Sequence, residues 1–299
     1  MLRDFIVVKD ILAASFDRLD ELHKKAGGLR GVPSGFTDLD NKLAGMQESN
    51  LLILAARPGQ GKTAFILNVA QHITTTAKLP VAIFSLEMSK EELVDRLLVA
   101  QADIDAWKLK TGRLTDEDFG KLSEAMGQLA EAPLYIDDTP GLSIMEMRTK
   151  ARRIQMEHGV KLIIVDYLQL VDAGRRFEGR VQEVSYVSQN LKNIARELKV
   201  PLVAVSQLSR AVEARGTRVP QLADLRESGA IEQDADVVMF IYREDLPEGE
   251  KWSSNVLTKL LIAKHRNGPL GEIDFMFRGY RIRFYPMEKK RDDTASNSA

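Results

Sequence analysis

The chain has 299 residues, 44% of them apolar and 28% charged, the balance of a soluble globular protein able to bury a large core as one large α/β domain or two small ones. Its net charge of −1 leaves any affinity for a polyanion to local basic patches. The absence of cysteine excludes disulfides and thiolate zinc sites. With no long apolar run and no signal-type start, the sequence predicts a soluble, cytoplasmic protein with no membrane partner.

Residues 4–25 carry Phe5, Val8, Ile11, Leu12, Phe16, Leu19 and Leu22 at helical spacing on an otherwise charged segment that stops near Gly27-Gly28. This stripe needs a cover, either this chain's own core or a neighbouring subunit. A linker through Gly35 follows, and Gly35-Phe36-Thr37-Asp38-Leu39-Asp40 reads as a helix entry into the main domain. We therefore expect a linker helix and linker over 1–30, a catalytic domain over 31–286 and a polar, disordered tail over 287–299.

The apolar run 51–54 leads into Ala55-Ala56-Arg57-Pro58-Gly59-Gln60-Gly61-Lys62-Thr63, and then into Phe65, Ile66, Val69, Ala70 and Ile73 at three- to four-residue spacing. Strand, glycine-containing loop and helix start in succession aim backbone N–H groups and a helix dipole at one spot, which makes a phosphate cradle. The stretch matches G-x-x-x-x-G-K-[ST] except at its first glycine, where Ala56 stands. Arg57, Pro58, Gly59, Gln60, Gly61, Lys62, Thr63 and Ala64 are the expected ATP-binding residues. Lys62 would reach the β- and γ-phosphates and Thr63 would ligate Mg²⁺. The bland reading is a strand-to-helix turn with an incidental lysine.

From there, apolar strands at 51–55, 81–85, 134–137, 162–166, 202–206 and 237–242 alternate with helices, the pattern of a mostly parallel sheet covered on both faces. Ser89-x-x-Glu92 and Ser143-x-x-Glu146 read as capping boxes and Gly159 as a helix stop. Short antiparallel strands at 256–264, 270–277 and 280–285, the first two joined at Asn267-Gly268, close the domain. The two tryptophans, Trp107 and Trp252, and most methionines read as packing residues.

Ligands of open parallel sheets lie at the carboxyl ends of the strands, and Glu87, Asp166 and Gln207 each follow an apolar strand there. NTP hydrolysis needs an anchor for Mg²⁺, a group to polarise the attacking water and a sensor of the γ-phosphate. Asp166 suits the first task, Glu87 the second and Gln207 the third. As single residues, each also reads as a strand terminator.

Together with Phe84-Ser85-Leu86-Glu87-Met88, Val165-Asp166-Tyr167-Leu168-Gln169-Leu170, Ser206-Gln207-Leu208-Ser209-Arg210, the run 224–236 and Lys264-His265-Arg266-Asn267-Gly268-Pro269, the phosphate loop resembles the C-terminal RecA-like motor domain of the DnaB replicative helicases, from the first helix to about Phe284. The resemblance implies a RecA-like P-loop NTPase core with C-terminal antiparallel hairpins, and a homohexameric ring that hydrolyses ATP with Mg²⁺ to move along single-stranded DNA. Primase and a helicase loader are its further implied partners. The family's primase-interacting N-terminal domain has no counterpart, so the chain is a truncated piece or a natural short version, and its start just before the linker favours truncation.

Lys264 and Arg266 are two apart, so on a strand they project from one side with His265 opposite. The resemblance implies that this pair enters a neighbour's ATP site with Arg266 as the finger; the bland reading is a solvated basic turn. For DNA, Arg175-Arg176-Phe177-Glu178-Gly179-Arg180 and the stretch from Arg210 to Arg218 each set three arginines against one glutamate. Phosphate contacts of this kind are independent of base sequence. Arg226, Glu227 and Gly229 match the family's strand-contacting loop, although Asp-Leu-Arg-Glu-Ser-Gly reads equally as a helix end. The alternatives to a ring helicase are a RecA-fold ATPase that assembles without separating strands, a small-molecule phosphotransferase and a non-catalytic ring subunit. The run 224–236 and the basic hairpin argue against the first, the unexplained arginine loops against the second, and Lys62, Thr63, Glu87 and Asp166 together against the third.

Overall fold

Strand β1 (Leu51–Ala56) is buried at every position because its odd residues face one layer of helices and its even residues the other. The computed structural model describes residues 29–215, 218–225, 229–243 and 255–287, with positions 7–10, 12, 15–17 and 20. Around β1 lie β2 (Val81–Ser85), β3 (Leu134–Asp137), β4 (Leu162–Asp166), β5 (Leu202–Gln207) and β6 (Val237–Tyr242), all parallel. Strands β7 (Asn255–His265), β8 (Gly271–Arg278) and β9 (Arg283–Pro286) continue the same sheet antiparallel, in the order β3-β2-β4-β5-β1-β6-β7-β8-β9. This is the α/β architecture expected from the alternation of strands and helices.

The helices are α1 (Thr37–Leu43), α2 (Lys62–Thr75), α3 (Lys90–Ala102), α4 (Ala106–Thr111), α5 (Asp116–Ala130), α6 (Ile144–His158), α7 (Arg180–Leu198), α8 (Ala211–Ala214) and α9 (Gly229–Asp234). Helices α1, α2 and α3 cover one face of the sheet, and α6, α7 and α9 the other. Both predicted capping boxes form, with Ser89 and Ser143 accepting from the backbone N–H of Glu92 and Glu146, and Gly159 ends α6 in the left-handed conformation at φ 60°. A third box, Thr115 with Asp118, opens α5.

Three details depart from the sequence reading. The last strand starts at Arg283 and not at 280, because Gly279–Arg281 winds into a 3₁₀ turn. Trp107 does not pack: it is 65% exposed on α4, since Ala106 and Leu109 occupy the side of this short helix that faces the satellite cluster around Leu122. Met126, Met145 and Met156 are exposed as well, whereas Met46, Met147 and Met239 are in the core. Trp252, most of the 1–30 segment and residues 288–299 lie outside the described residues; of the N-terminal stripe, Val8, Leu12 and Phe16 are described and exposed.

Under α2 sits an aromatic cluster. Phe36 stacks on Phe65 at 5.1 Å, Phe275 meets both edge-on, and Phe284 packs on Phe65 and Phe277. Asn68 of α2 locks the same region, donating to the Ile282 carbonyl at 3.1 Å and accepting from the Phe284 N–H at 2.8 Å. The antiparallel extension thereby becomes the floor of the helix that follows the phosphate loop. Phe284→Ala is expected to lower stability by about 3–5 kcal/mol, read as a shift in the denaturation midpoint, because a nearly buried ring leaves a cavity that its neighbours cannot fill.

Candidate nucleotide site

The loop after β1 and the first turn of α2 make the cradle. Gly61, the residue before α2, has φ 94°, a backbone conformation that favours glycine, and a Cβ there would press on the aromatic floor at 3.0 Å from Phe284 Cζ. Unlike α3, α5 and α6, helix α2 has no side-chain cap. Its first N–H groups and its positive dipole end are thus left for an anion.

Two strand ends bring their side chains to this helix start, and a third lies beside the loop that leads into it. Ser85 pairs with Asp166 across β2 and β4, and the Leu86 N–H donates to the Asp166 carbonyl at 2.7 Å, so the chain leaving β2 carries Glu87 alongside Asp166. Lys62 Nζ donates to Glu87 Oε2 at 2.6 Å, lies 3.4 Å from Asp166 Oδ1 and sits 4.3 Å from the centre of the Tyr167 ring. Thr63 Oγ1 donates to Asp166 Oδ2 at 2.7 Å. Burial pushes the Asp166 carboxyl above its ordinary value, while Lys62 and then Thr63 pull it down. Gln207 ends β5 opposite Ala56, the residue that leads into the phosphate loop.

The structure adds Gln169, for which residue type and spacing suggest no role. It donates from Nε2 to Ser206 Oγ at 2.9 Å and to the Gln207 carbonyl at 3.4 Å, and accepts from the Gln207 N–H at 3.4 Å, tying the segment after Asp166 to the end of β5. It lies inside one of the family motifs, but only the fold shows what it reaches. Arg57 is engaged by the loop after β5, donating from Nε to Glu213 Oε1 at 2.8 Å and from Nη1 to the Leu208 carbonyl at 2.9 Å. Beside Arg57 and Gln60 opens a cavity of about 340 Å³ with apolar walls from Leu208, Val212 and Ile241, and with Arg243 on its rim. Of these lining residues, Gln60 Oε1 and Arg243 Nη2 are buried with no hydrogen-bond partner among the described residues.

Thr63 and Asp166 present oxygens to one point, a donor set that fits Mg²⁺, which takes hard oxygen ligands from one or two carboxylates and completes its shell with phosphates and water. Among the described residues no group of three or more His, Cys, Asp or Glu could hold a metal without such help. No described helix is long and apolar enough to cross a membrane.

Lys264 and Arg266 lie at the other edge of the sheet. The Arg266 N–H donates to the Asp236 carbonyl at 2.9 Å, and Asp236 in turn is bonded to Leu51, the first residue of β1. The length of a six-residue strand, roughly 17–20 Å, therefore separates this hairpin from its own phosphate loop. A bulge opposite Val238–Met239 puts Lys264 on the same side as Ala263, so Lys264 and Arg266 both reach α9, donating to the carbonyls of Glu232 and Gln233. Burial, and then Arg266, hold the Lys264 ammonium below its ordinary value. Arg176 and Arg210 are exposed at the carboxyl edge, and Arg175 lies over the rings of Phe177 and Tyr186 at 4.7 and 4.2 Å. Gly229 starts α9 in open space; Arg226 and Glu227 lie outside the described residues.

Because the native Asp166 carboxyl is raised, the folded chain binds a proton more readily than the unfolded one, and this contribution to stability fades as pH rises from the ordinary carboxylate range through the raised native value. Asp166→Asn removes the buried charge. Without nucleotide, its melting temperature should stand at or above the parent's at neutral pH, and thermal melts at successively lower pH should show that gap closing.

The model of the DnaB-like helicase C terminal domain family matches residues 31–286. The Bacillus subtilis (strain 168) replicative DNA helicase DnaC is 49% identical over 287 residues, covering 96% of this chain and 63% of that protein. The Geobacillus stearothermophilus replicative DNA helicase DnaB is 48% identical over 287 residues with the same coverage of each. The chain thus spans 63% of the length of these relatives. Among solved structures, one of an isolated ATPase domain superposes with a TM-score of 0.88 at 38% identity, covering 95% of this chain and all of that one. A DnaB-like replicative helicase, solved in a study of its interactions with primase, gives 0.85 at 38% identity, covering 95% of this chain and 68% of that one. The fold is that of the RecA-like ATPase domains of this group, and the chain belongs to the DnaB-like helicase C terminal domain family.

Proposed function

We propose that this chain is the motor domain of an ATP-hydrolysing ring helicase that translocates on single-stranded DNA and unwinds duplex during replication. The observation that carries the proposal is Lys62 held between Glu87 and Asp166 at the uncapped start of α2, with an arginine hairpin at the opposite edge of the same sheet. The names of the relatives point the same way.

In this reading the phosphates lie over Gly59 to Thr63, bound by loop N–H groups, and Lys62 moves from Glu87 to the β- and γ-phosphates. Thr63 and Asp166 hold Mg²⁺, which when bound neutralises charge developing on the phosphate oxygens. Glu87, released from Lys62, accepts a hydrogen bond from the attacking water and takes its proton. Gln207 donates to the γ-phosphate, and Gln169 carries its displacement to the segment after β4. The neighbouring cavity accepts the nucleoside between the apolar walls of Leu208, Val212 and Ile241.

The roughly one-strand separation of Arg266 from its own loop supports action on the next subunit's phosphates, the finger being worth about 10³–10⁵ in rate. Ring assembly, single-stranded DNA on Arg175, Arg176, Arg210 and the 226–229 segment, and primase and loader as outside partners complete the reading. So do the linker role of 1–30 and the motor bounds 31–286.

The test is ATPase rate against protein concentration, with and without single-stranded DNA, alongside mass by light scattering. A cooperative rise that coincides with a six-subunit mass and is stimulated by DNA is the expected result. A concentration-independent rate from a monomer would mean that the site is complete in one chain and would sink the ring motor. Lys62→Ala should abolish nucleotide binding, while Glu87→Gln should keep binding and lose turnover; equal loss of binding would unseat Glu87. When Arg266→Ala subunits are doped into wild type, the rate should depart from simple dilution.

A further inference from the structure

We propose that Asp236 is the positioning residue of the Arg266 finger, fixing its main chain and its guanidinium together against the start of β1. The proposal rests on the reading of Arg266 as a group that serves a neighbouring site. Asp236 is buried between α9 and β6. Its carbonyl accepts from the Arg266 N–H at 2.9 Å, and its Oδ1 stands 3.6 Å from Arg266 Nε. Its Oδ2 accepts from the Leu51 N–H at 2.7 Å and from Lys192 Nζ. One residue therefore references the finger to the strand that ends in this chain's own phosphate loop.

An arginine side chain free in solvent samples many rotamers, whereas a finger has to arrive in one geometry. Arg266 is about half exposed, so it can be reached by a partner, yet it is held at three points: its N–H, its Nε facing Asp236, and its Nη2 on the Gln233 carbonyl. That last carbonyl and the Glu232 carbonyl, which takes Lys264, belong to the C-terminal turn of α9, where the helix dipole is negative and unpaired acceptors gather. Helix α9 also lies between the two edges of the sheet. Leu225, before it, bridges to Leu208 beyond the end of β5, and Asp236, after it, is bonded to the start of β1.

The experiment is a double-mutant cycle on the assembled chain, reading kcat and KM for ATP with single-stranded DNA together with melting temperature. Asp236→Asn keeps the size of the side chain and an acceptor for Leu51 but removes the charge facing Arg266. It should lower kcat about tenfold to a hundredfold with KM unchanged, the loss typical of a displaced group. In an Arg266→Ala background the same substitution should leave kcat unchanged. Lys192→Met, which leaves the Asp236–Arg266 pair in place, should keep kcat. An equal kcat loss in both backgrounds, a silent Asp236→Asn, or a Lys192→Met loss as large as that of Asp236→Asn would each overturn the proposal and leave Asp236 a structural residue. If Asp236→Asn does not assemble, Asp236→Glu, which shifts the charge by one methylene, is read through the same cycle with the same outcomes. Arg266→Ala without effect would sink the finger reading itself; Arg266→Ala that lowers kcat beside an inert Asp236→Asn would sink this proposal alone.

Discussion

The carboxyl edge of the sheet is organised by one ammonium group shared between two carboxylates. A carboxylate as buried as Asp166 is tolerated only with a cation and a hydrogen-bond donor beside it, and Lys62 and Thr63, adjacent in the chain, provide both. Lys62 also reaches Glu87, so side chains that follow β1, β2 and β4 converge. Convergence of this kind is a condition on register. Were β2 shifted by one residue against β4, Glu87 would exchange places with an apolar neighbour and the ammonium would lose a partner.

The same sheet separates two kinds of basic group. Lys62 and the exposed Arg176 and Arg210 gather where parallel strands end, whereas Lys264 and Arg266 reach the edge where those strands begin, because β7 runs back against β6. Antiparallel continuation of a parallel sheet is thus what allows one chain to present the Lys62 loop on one side and a cationic hairpin on the other. The buried pair of Asp236 and Lys192 anchors the second edge much as Asp166 and Lys62 anchor the first.

Much of this was legible in the sequence, for physical reasons. The parallel strands announced themselves as apolar runs because both of their faces are covered, and the helix starts because serine and glutamate three residues apart satisfy each other's backbone partners. Glu87, Asp166 and Gln207 could be picked out because strand ends are where polar residues interrupt apolar runs. What could not be read depended on contacts far apart in the chain. The bulge at the end of β7 leaves no mark in residue type, yet it decides which face Lys264 joins. The bonds of Arg57 to Glu213 and Leu208 span more than a hundred and fifty residues, and its place in the loop gives no sign of them. Helices α4 and α5 went unread because α5 opens with aspartate in place of glutamate and exposes Phe119 and Met126 on what would otherwise be a polar face.

Phe284 has a consequence for how the protein comes into being. The ring that packs tightly against Gly61 belongs to the last strand of the sheet, more than two hundred residues downstream of the loop it supports. During synthesis the phosphate loop and α2 emerge early, but they have no floor until β8 and β9 have left the ribosome and folded beneath them. A nascent or C-terminally clipped chain therefore carries the loop's residues without the packing beneath them, and that support arrives only with the completion of the domain.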